Sequence, residues 1–304
     1  MSALLNALET AARLPWDGLV RELRALLADS SVHVPQRLVQ PLPGGASLFV
    51  MPALDARIAI TKLITFTPAN AGTPRPAIQG DVVVFDALTG ERLGVLDGPT
   101  VTARRTAAVS LLAAQTLAPC TEGPLLIVGA GAQGRAHLEA FAAGLRLTEV
   151  RVASRSPASA QVLVALAQGL GLPARVVSDP DAALADCPLA VTCTPAERVV
   201  LSARPREDAF IAAVGAFTPR MVEVSPGLCR HFAAVGRIVL DTPDARHEAG
   251  DLLQAGLDLS ALASLGEVLA GAAPSRGGPV LFKSCGWAGW DLAAARLAFP
   301  PARP

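Results

Sequence analysis

Apolar and polar positions change rhythm along the chain. The opening stretch "MSALLNALETAARLPWDGLVRELRALL" spaces its apolar residues at three and four positions, between Glu9, Asp17 and Glu22. That is the period of a helix with one buried face. From Ser47 to Asp97 the period drops to two. "SLFVMPAL", "ARIAITKLITF" and "GDVVVFDALTGERLGVLDG" predict strands, with "ALTG" turning the last stretch into a hairpin. "TVTARRTAAVSLLAAQTLA" then predicts a helix entered after the Asp97-Gly98-Pro99 turn, with Thr102 as its N-cap.

From Pro124 the rhythm becomes strand, helix, strand. "LLIVG", "EVRVA", "ARVVS", "PLAVTC", "AFIAAVG" and "RIVLD" are short unbroken apolar runs, separated mostly by helical or turn-rich segments. Strands buried on both faces of a parallel sheet read this way, so the pattern predicts a doubly wound α/β domain. After the Gly-rich "SRGG" break, "GPVLFKSCGWAGWDLAAARLAF" predicts a strand and a helix. They are too short for a domain and are expected to pack back on the N-terminal part. The expected division is 1–119 with 277–304 as one domain, and 120–276 as the other.

Within this pattern a few charges stand out. On "ARIAITKLITF", alternation puts Lys62 in one row with Ile58, Ile60, Ile64 and Phe66, where an ammonium must reach an edge or meet a buried partner. In "TARRTAAV", adjacent helical residues point about 100° apart, so Arg104 and Arg105 cannot share a face. Arg105 lines up with Ala108, Val109 and Leu112 and is the better candidate to face inward onto an anion. An ordinary surface ion pair remains the alternative.

"PLLIVGAGAQGRAHLEAF" carries Gly129, Gly131 and Gly134 as GxGxxG between a predicted strand and a predicted helix. That context predicts a dinucleotide site, with the pyrophosphate at the helix N-terminus. The acid expected about 20 residues further on to grip a ribose 2′-hydroxyl is missing; "SRSPAS" places Ser154 and Arg155 there. An arginine pairs with a 2′-phosphate, so NADPH is expected, with NADH possible.

Composition narrows the rest. The 304 residues have a formal net charge of zero, with 17% charged and 51% hydrophobic, which gives no electrostatic footprint for nucleic acid. No stretch reaches the roughly 18 apolar residues of a membrane span, and the N-terminus lacks a signal peptide's basic start and apolar run. Five scattered cysteines without a CxxC pair predict free thiols in the cytoplasm. The four histidines show no metal-ligand spacing.

With these residues in hand, the chain resembles the ornithine cyclodeaminase/mu-crystallin family. "VMPAL", the strand lysine, "DALTG", "TARRTAA", "IVGAGAQGRAH", "TCT", "AAVGAFTP...E" and "LFKSCGWAGWDLAAA" stand in family order over nearly the whole chain. The resemblance implies a Rossmann-type doubly wound parallel sheet inserted in a second α+β domain for substrate binding and dimerisation, and a homodimer. It implies that Lys62 and Arg105, with Arg37 of "VPQRLV" as a third, hold the carboxylate of an amino or imino acid. Cofactor contacts carry over to Ala132, Gln133, Ser154, Thr194, Val214 and Ser284, with Cys285 close to the substrate.

The departures carry as much weight. Cyclodeaminases of the family place an aspartate where Phe217 stands in "AVGAFTPRMVE", and a glutamate where Phe49 stands in "SLFVMP". Phenylalanine neither transfers protons nor binds ammonium. The pattern therefore resembles the family's NAD(P)H-dependent ketimine reductases, which act on Δ1-pyrroline-2-carboxylate and Δ1-piperideine-2-carboxylate to give L-proline and L-pipecolate. Phe217 would then line the apolar ring, and any protein proton donor would be Thr106 or a bound water. Ornithine cyclodeaminase, alanine-type amino-acid dehydrogenase and an NADPH-dependent small-molecule binder of mu-crystallin type are the alternatives.

Overall fold

A computed structural model describes residues 3–70, 73, 75–195, 197–271 and 277–301. The chain divides into two compact units: Met1–Arg105 with Trp287–Pro304, and Thr106–Gly286. Each is described by itself.

The first unit is built on a six-stranded sheet: β1 (Ala3–Leu4), β2 (Leu38–Pro41), β3 (Ser47–Leu54), β4 (Ile58–Phe66), β5 (Ile78–Asp86) and β6 (Arg92–Asp97). Its spatial order is β1-β6-β5-β4-β3-β2, antiparallel throughout except for the short parallel β1–β6 pair. The period-two pattern sets the faces. Met51, Ala53, Ile58, Ile60, Lys62, Ile64, Val82 and Val84 are buried on one side. The C-terminal helix Ala288–Ala298 packs on β3, β4 and β5 and against the amphipathic helix α2 (Trp16–Leu27), which follows the short α1 (Ala7–Ala12). Arg296 of that C-terminal helix joins Asp55 (2.5 Å) and Asp29 (2.6 Å).

Helix α3 runs over Gly98–Leu117, and the division between the units falls inside it. Thr102 is therefore a mid-helix residue and not the N-cap that the sequence predicts. The cap is one turn earlier, where the Asp97 carboxylate accepts from the Thr100 amide (2.8 Å) and hydroxyl (2.5 Å). Asp97 offers a better acceptor than a threonine hydroxyl and stands directly ahead of Gly98 and Pro99, where a helix can start.

The second unit carries an eight-stranded sheet in which every pairing is parallel. It contains β7 (Glu122–Val128), β8 (Arg146–Ala153), β9 (Ala174–Val176) and β10 (Leu189–Thr192). A small parallel pair stands outside it, β11 (Glu197–Leu201) with β13 (Val222–Val224). The sheet continues with β12 (Phe210–Ala213), β14 (Arg237–Leu240), β15 (Ala263–Ser264) and β16 (Val280–Lys283), in the order β15-β14-β16-β12-β10-β7-β8-β9. Every apolar run read from the sequence is a strand of this doubly wound sheet, and the α/β fold is the Rossmann type. Helix α4 (Ala132–Gly144) follows β7. Order reverses between β7 and β10, the switch point at which such sheets bind dinucleotides.

One element lies elsewhere than expected. β16 pairs in parallel with β12 and β14, so the strand of "GPVLFKSC" belongs to the second unit and only its helix to the first. Its apolar run satisfies its backbone by joining a buried parallel sheet. The contact division also puts Thr106–Leu117 with the second unit, so it falls at 105/106 and 286/287, against 119/120 and 276/277 in the sequence. Ser275 and Arg276 of "SRGG" lie outside the described residues.

Candidate active site

In the first unit, Lys62 is 1% exposed, and its Nζ lies 2.7 Å from Asp291 Oδ2. Arg105, 5% exposed, directs Nε at the other oxygen of the same carboxylate, 3.1 Å away. β4, α3 and the C-terminal helix thus bring two cations onto one fully buried aspartate. Burial, opposed mainly by Asp291, lowers the Lys62 pKa from 10.5 to about 8, with Arg105 and Arg37 pushing the same way as burial. One anion against two cations leaves the trio one positive charge in excess. Sequence reasoning missed Asp291, although an aspartate in the otherwise apolar run "AGWDLAAA" signals a buried carboxylate in need of a cation.

Arg104 points the other way, as the helical geometry requires. It donates to the Leu14 carbonyl (2.9 Å) and lies over the Trp16 ring, 3.9 Å from its centroid. Arg37 lies over the ring of Phe49, 6.0 Å from its centroid, a cation–π contact at the position where cyclodeaminases carry a glutamate.

The second unit holds the glycine-rich turn. Gly129 has φ +118°, and a Cβ there would stand 2.8 Å from the Cys193 carbonyl oxygen. A Cβ on Gly134 would collide with the Gly129 carbonyl, whereas one on Gly131 would meet nothing. The first and third glycines are thus explained by the turn and by helix packing. The second is not: it is the exposed N-cap of α4, and what its missing side chain leaves open is backbone for a pyrophosphate to approach. The residues present fit a dinucleotide. Ala132 and Gln133 form the first turn of α4; at the end of β8 follow half-buried Ser154 and exposed Arg155, with no carboxylate beside them.

The other expected contacts end neighbouring strands. Val214 is 9% exposed after β12. Thr194 gives both its amide (2.6 Å) and its hydroxyl (2.9 Å) to Glu223. Ser284 donates its hydroxyl to Asp241 (2.8 Å), which also accepts from the amides of Cys285 (3.1 Å) and Gly286 (2.9 Å). Burial pushes the Cys285 thiol far above its ordinary range, so it is neither a thiolate nor an acid at neutral pH. Thr106 is buried, and Phe217 packs against the apolar core of this unit. His137 is neutral: burial lowers its pKa to about 4, its Nδ1 faces the Gln133 carbonyl (2.8 Å) and its Nε2 the Ser110 hydroxyl (3.0 Å).

Compared with known proteins, residues 10–302 match the model of the ornithine cyclodeaminase/mu-crystallin family. The chain belongs to this family. It is 40% identical over 297 residues to Δ1-pyrroline-2-carboxylate reductase 2 of Burkholderia ambifaria, covering 96% of this chain and 94% of that relative. It is 39% identical over 299 residues to the Δ1-pyrroline-2-carboxylate/Δ1-piperideine-2-carboxylate reductase of Azospirillum brasilense, covering 97% and 94%. The fold is that of Thermococcus litoralis Δ1-pyrroline-2-carboxylate reductase, solved in complex with NADH and L-proline. The TM-score is 0.85 at 24% identity, over 97% of this chain and 92% of that one.

Proposed function

We propose that this protein reduces Δ1-pyrroline-2-carboxylate and Δ1-piperideine-2-carboxylate to L-proline and L-pipecolate at the expense of NAD(P)H. The observation that carries this is the buried Lys62–Asp291–Arg105 trio, with its one positive charge in excess on a carboxylate-sized partner. Membership of the family and high identity to reductases of these imines support the same assignment.

Lys62 and Arg105, with Arg37 as a third cation, hold the substrate carboxylate and so fix C2 of the ring. Asp291 keeps both cations in place while the site awaits substrate. NAD(P)H, when bound, would supply the hydride that reduces C2 of the protonated imine. A cyclic iminium already carries its proton, so the chain need provide no acid. Cyclodeamination of ornithine needs carboxylates where Phe49 and Phe217 stand, and the cation–π contact of Arg37 with Phe49 occupies one of those places. With Δ1-pyrroline-2-carboxylate the enzyme should form proline; with ornithine and NAD+ it should release no ammonia. The reverse result would reject the assignment.

NADPH is the preferred coenzyme on this account, because Arg155 follows β8 where NAD-selective folds carry an acid. We also assign a homodimer. The sheet face of the first unit opposite Lys62 is apolar and exposed: Leu38 (57%), Leu63 (46%), Leu54 (38%) and Phe85 (36%). A second copy of this face would cover it, and light scattering of Leu63→Glu against the parent chain tests this. Among the described residues no helix is long and apolar enough to cross a membrane. Its five free thiols fit the cytoplasm.

A further inference from the structure

Glu223, the last residue of the "AAVGAFTP...E" motif, plays no part in binding substrate or coenzyme as described so far. It lies on β13 and is fully buried. Oε1 accepts from the Thr194 amide (2.6 Å) and hydroxyl (2.9 Å), in the loop after β10. Oε2 accepts from the amides of Gly215 (2.7 Å) and Ala216 (3.1 Å), in the loop after β12. One carboxylate thus ties together the loops leaving two adjacent strands of the parallel sheet. The two loops run so close that a Cβ at Gly215 would collide with the Thr194 backbone and stand 2.5 Å from Glu223 Oε1.

Its own backbone is held in turn. The amides of Glu223 (2.6 Å) and Val224 (2.8 Å) donate to Asp251 Oδ1, and Asp251 Oδ2 pairs with buried Lys283 (2.6 Å), the residue before Ser284 on β16. Burial raises the pKa of this carboxyl above the ordinary glutamate value, against the pull of Lys283 and of its bonds to Thr194; four donors converge on its two oxygens.

In a doubly wound sheet a dinucleotide lies across the switch point, one mononucleotide on each half. The glycine turn after β7 and the end of β8 belong to the adenosine half; the loops after β10 and β12 are on the other side. On the premise that this unit binds NAD(P)H, we propose that Glu223 is a positioning residue for the nicotinamide half. Without touching the coenzyme, it sets the backbone of the 194 and 214–217 loops against which the nicotinamide riboside rests. Asp251 and Lys283 fix Glu223 itself.

The test titrates full-length protein with coenzyme and with the ADP-ribose fragment bearing the same 2′ group, which lacks the nicotinamide riboside. Glu223→Ala should weaken coenzyme binding at least tenfold and leave the fragment within twofold. Glu223→Gln keeps the size but replaces one acceptor oxygen by a donor, and should show the same split to a smaller degree. Equal weakening of both ligands would mean a merely structural role and overturn the proposal, as would unchanged binding of both. If the parent chain bound neither ligand, the coenzyme premise itself would fall, which is distinguishable because no variant is then involved.

Discussion

Lys62 gives the site a pH dependence whose size can be worked out. Its pKa stands near 8, because burial and the neighbouring cations outweigh the attraction of Asp291. If a carboxylate ligand requires Lys62 as the ammonium, binding follows its charged fraction, which falls from roughly nine-tenths at pH 7 to roughly one-tenth at pH 9. The inhibition constant of a carboxylate should therefore rise about tenfold over that interval and about tenfold for each further unit. The ligand must not titrate itself, so 2-furoate suits better than an imine. Its competition against the imino acid is measured at saturating coenzyme from pH 6.5 to 9.5. Asp291→Asn removes the strongest influence raising the Lys62 pKa and should move the break to lower pH. The same shift has a stability sign. A lysine whose pKa is lower folded than unfolded costs stability below pH 8, and that cost is relieved as pH climbs from about 8 to 10.5. An inhibition constant that stays flat between pH 7 and 9 would remove Lys62 from the carboxylate site.

Arg105→Ala should lower kcat/KM for the imino acid at least a hundredfold, on the order of 3 kcal/mol, and unchanged kinetics would end its role as a clamp. Gly131→Ala should leave the melting temperature unaltered, since a Cβ there meets nothing, yet weaken coenzyme binding about tenfold; unaltered binding would mean that no pyrophosphate approaches this backbone. Arg155→Ala should raise KM for NADPH well above any change for NADH, and equal effects on both would reject its contact with a 2′-phosphate.

Most strands of the parallel sheet were legible because each is a short apolar run between turn signals, and a strand buried on both faces has no other way to satisfy its backbone; β15, the two residues Ala263–Ser264, carries no such run and was missed. Lys62 and Arg105 were legible because a charge inside an apolar row demands an explanation. What stayed hidden was the partner: Asp291 is 229 residues from Lys62 in sequence (291 − 62), and no local pattern joins them. The same logic applied to Lys283, a lysine in the buried run "VLFK", would have raised the question that Asp251 answers. The first cap of α3 was misplaced because Thr102 and Asp97 are both competent caps, and the tertiary fold decides between them. Roles stated from the resemblance alone, such as that of Thr194, gained a physical content that sequence could not supply, namely its two bonds to Glu223.

The most direct measurement is the stoichiometry of NADPH oxidation with Δ1-pyrroline-2-carboxylate, with proline quantified in the same reaction. One proline formed for each NADPH consumed, lost on Arg105→Ala, is the predicted result. Absence of NADPH consumption by a chain that binds the coenzyme tightly would contradict the assignment as an imino-acid reductase.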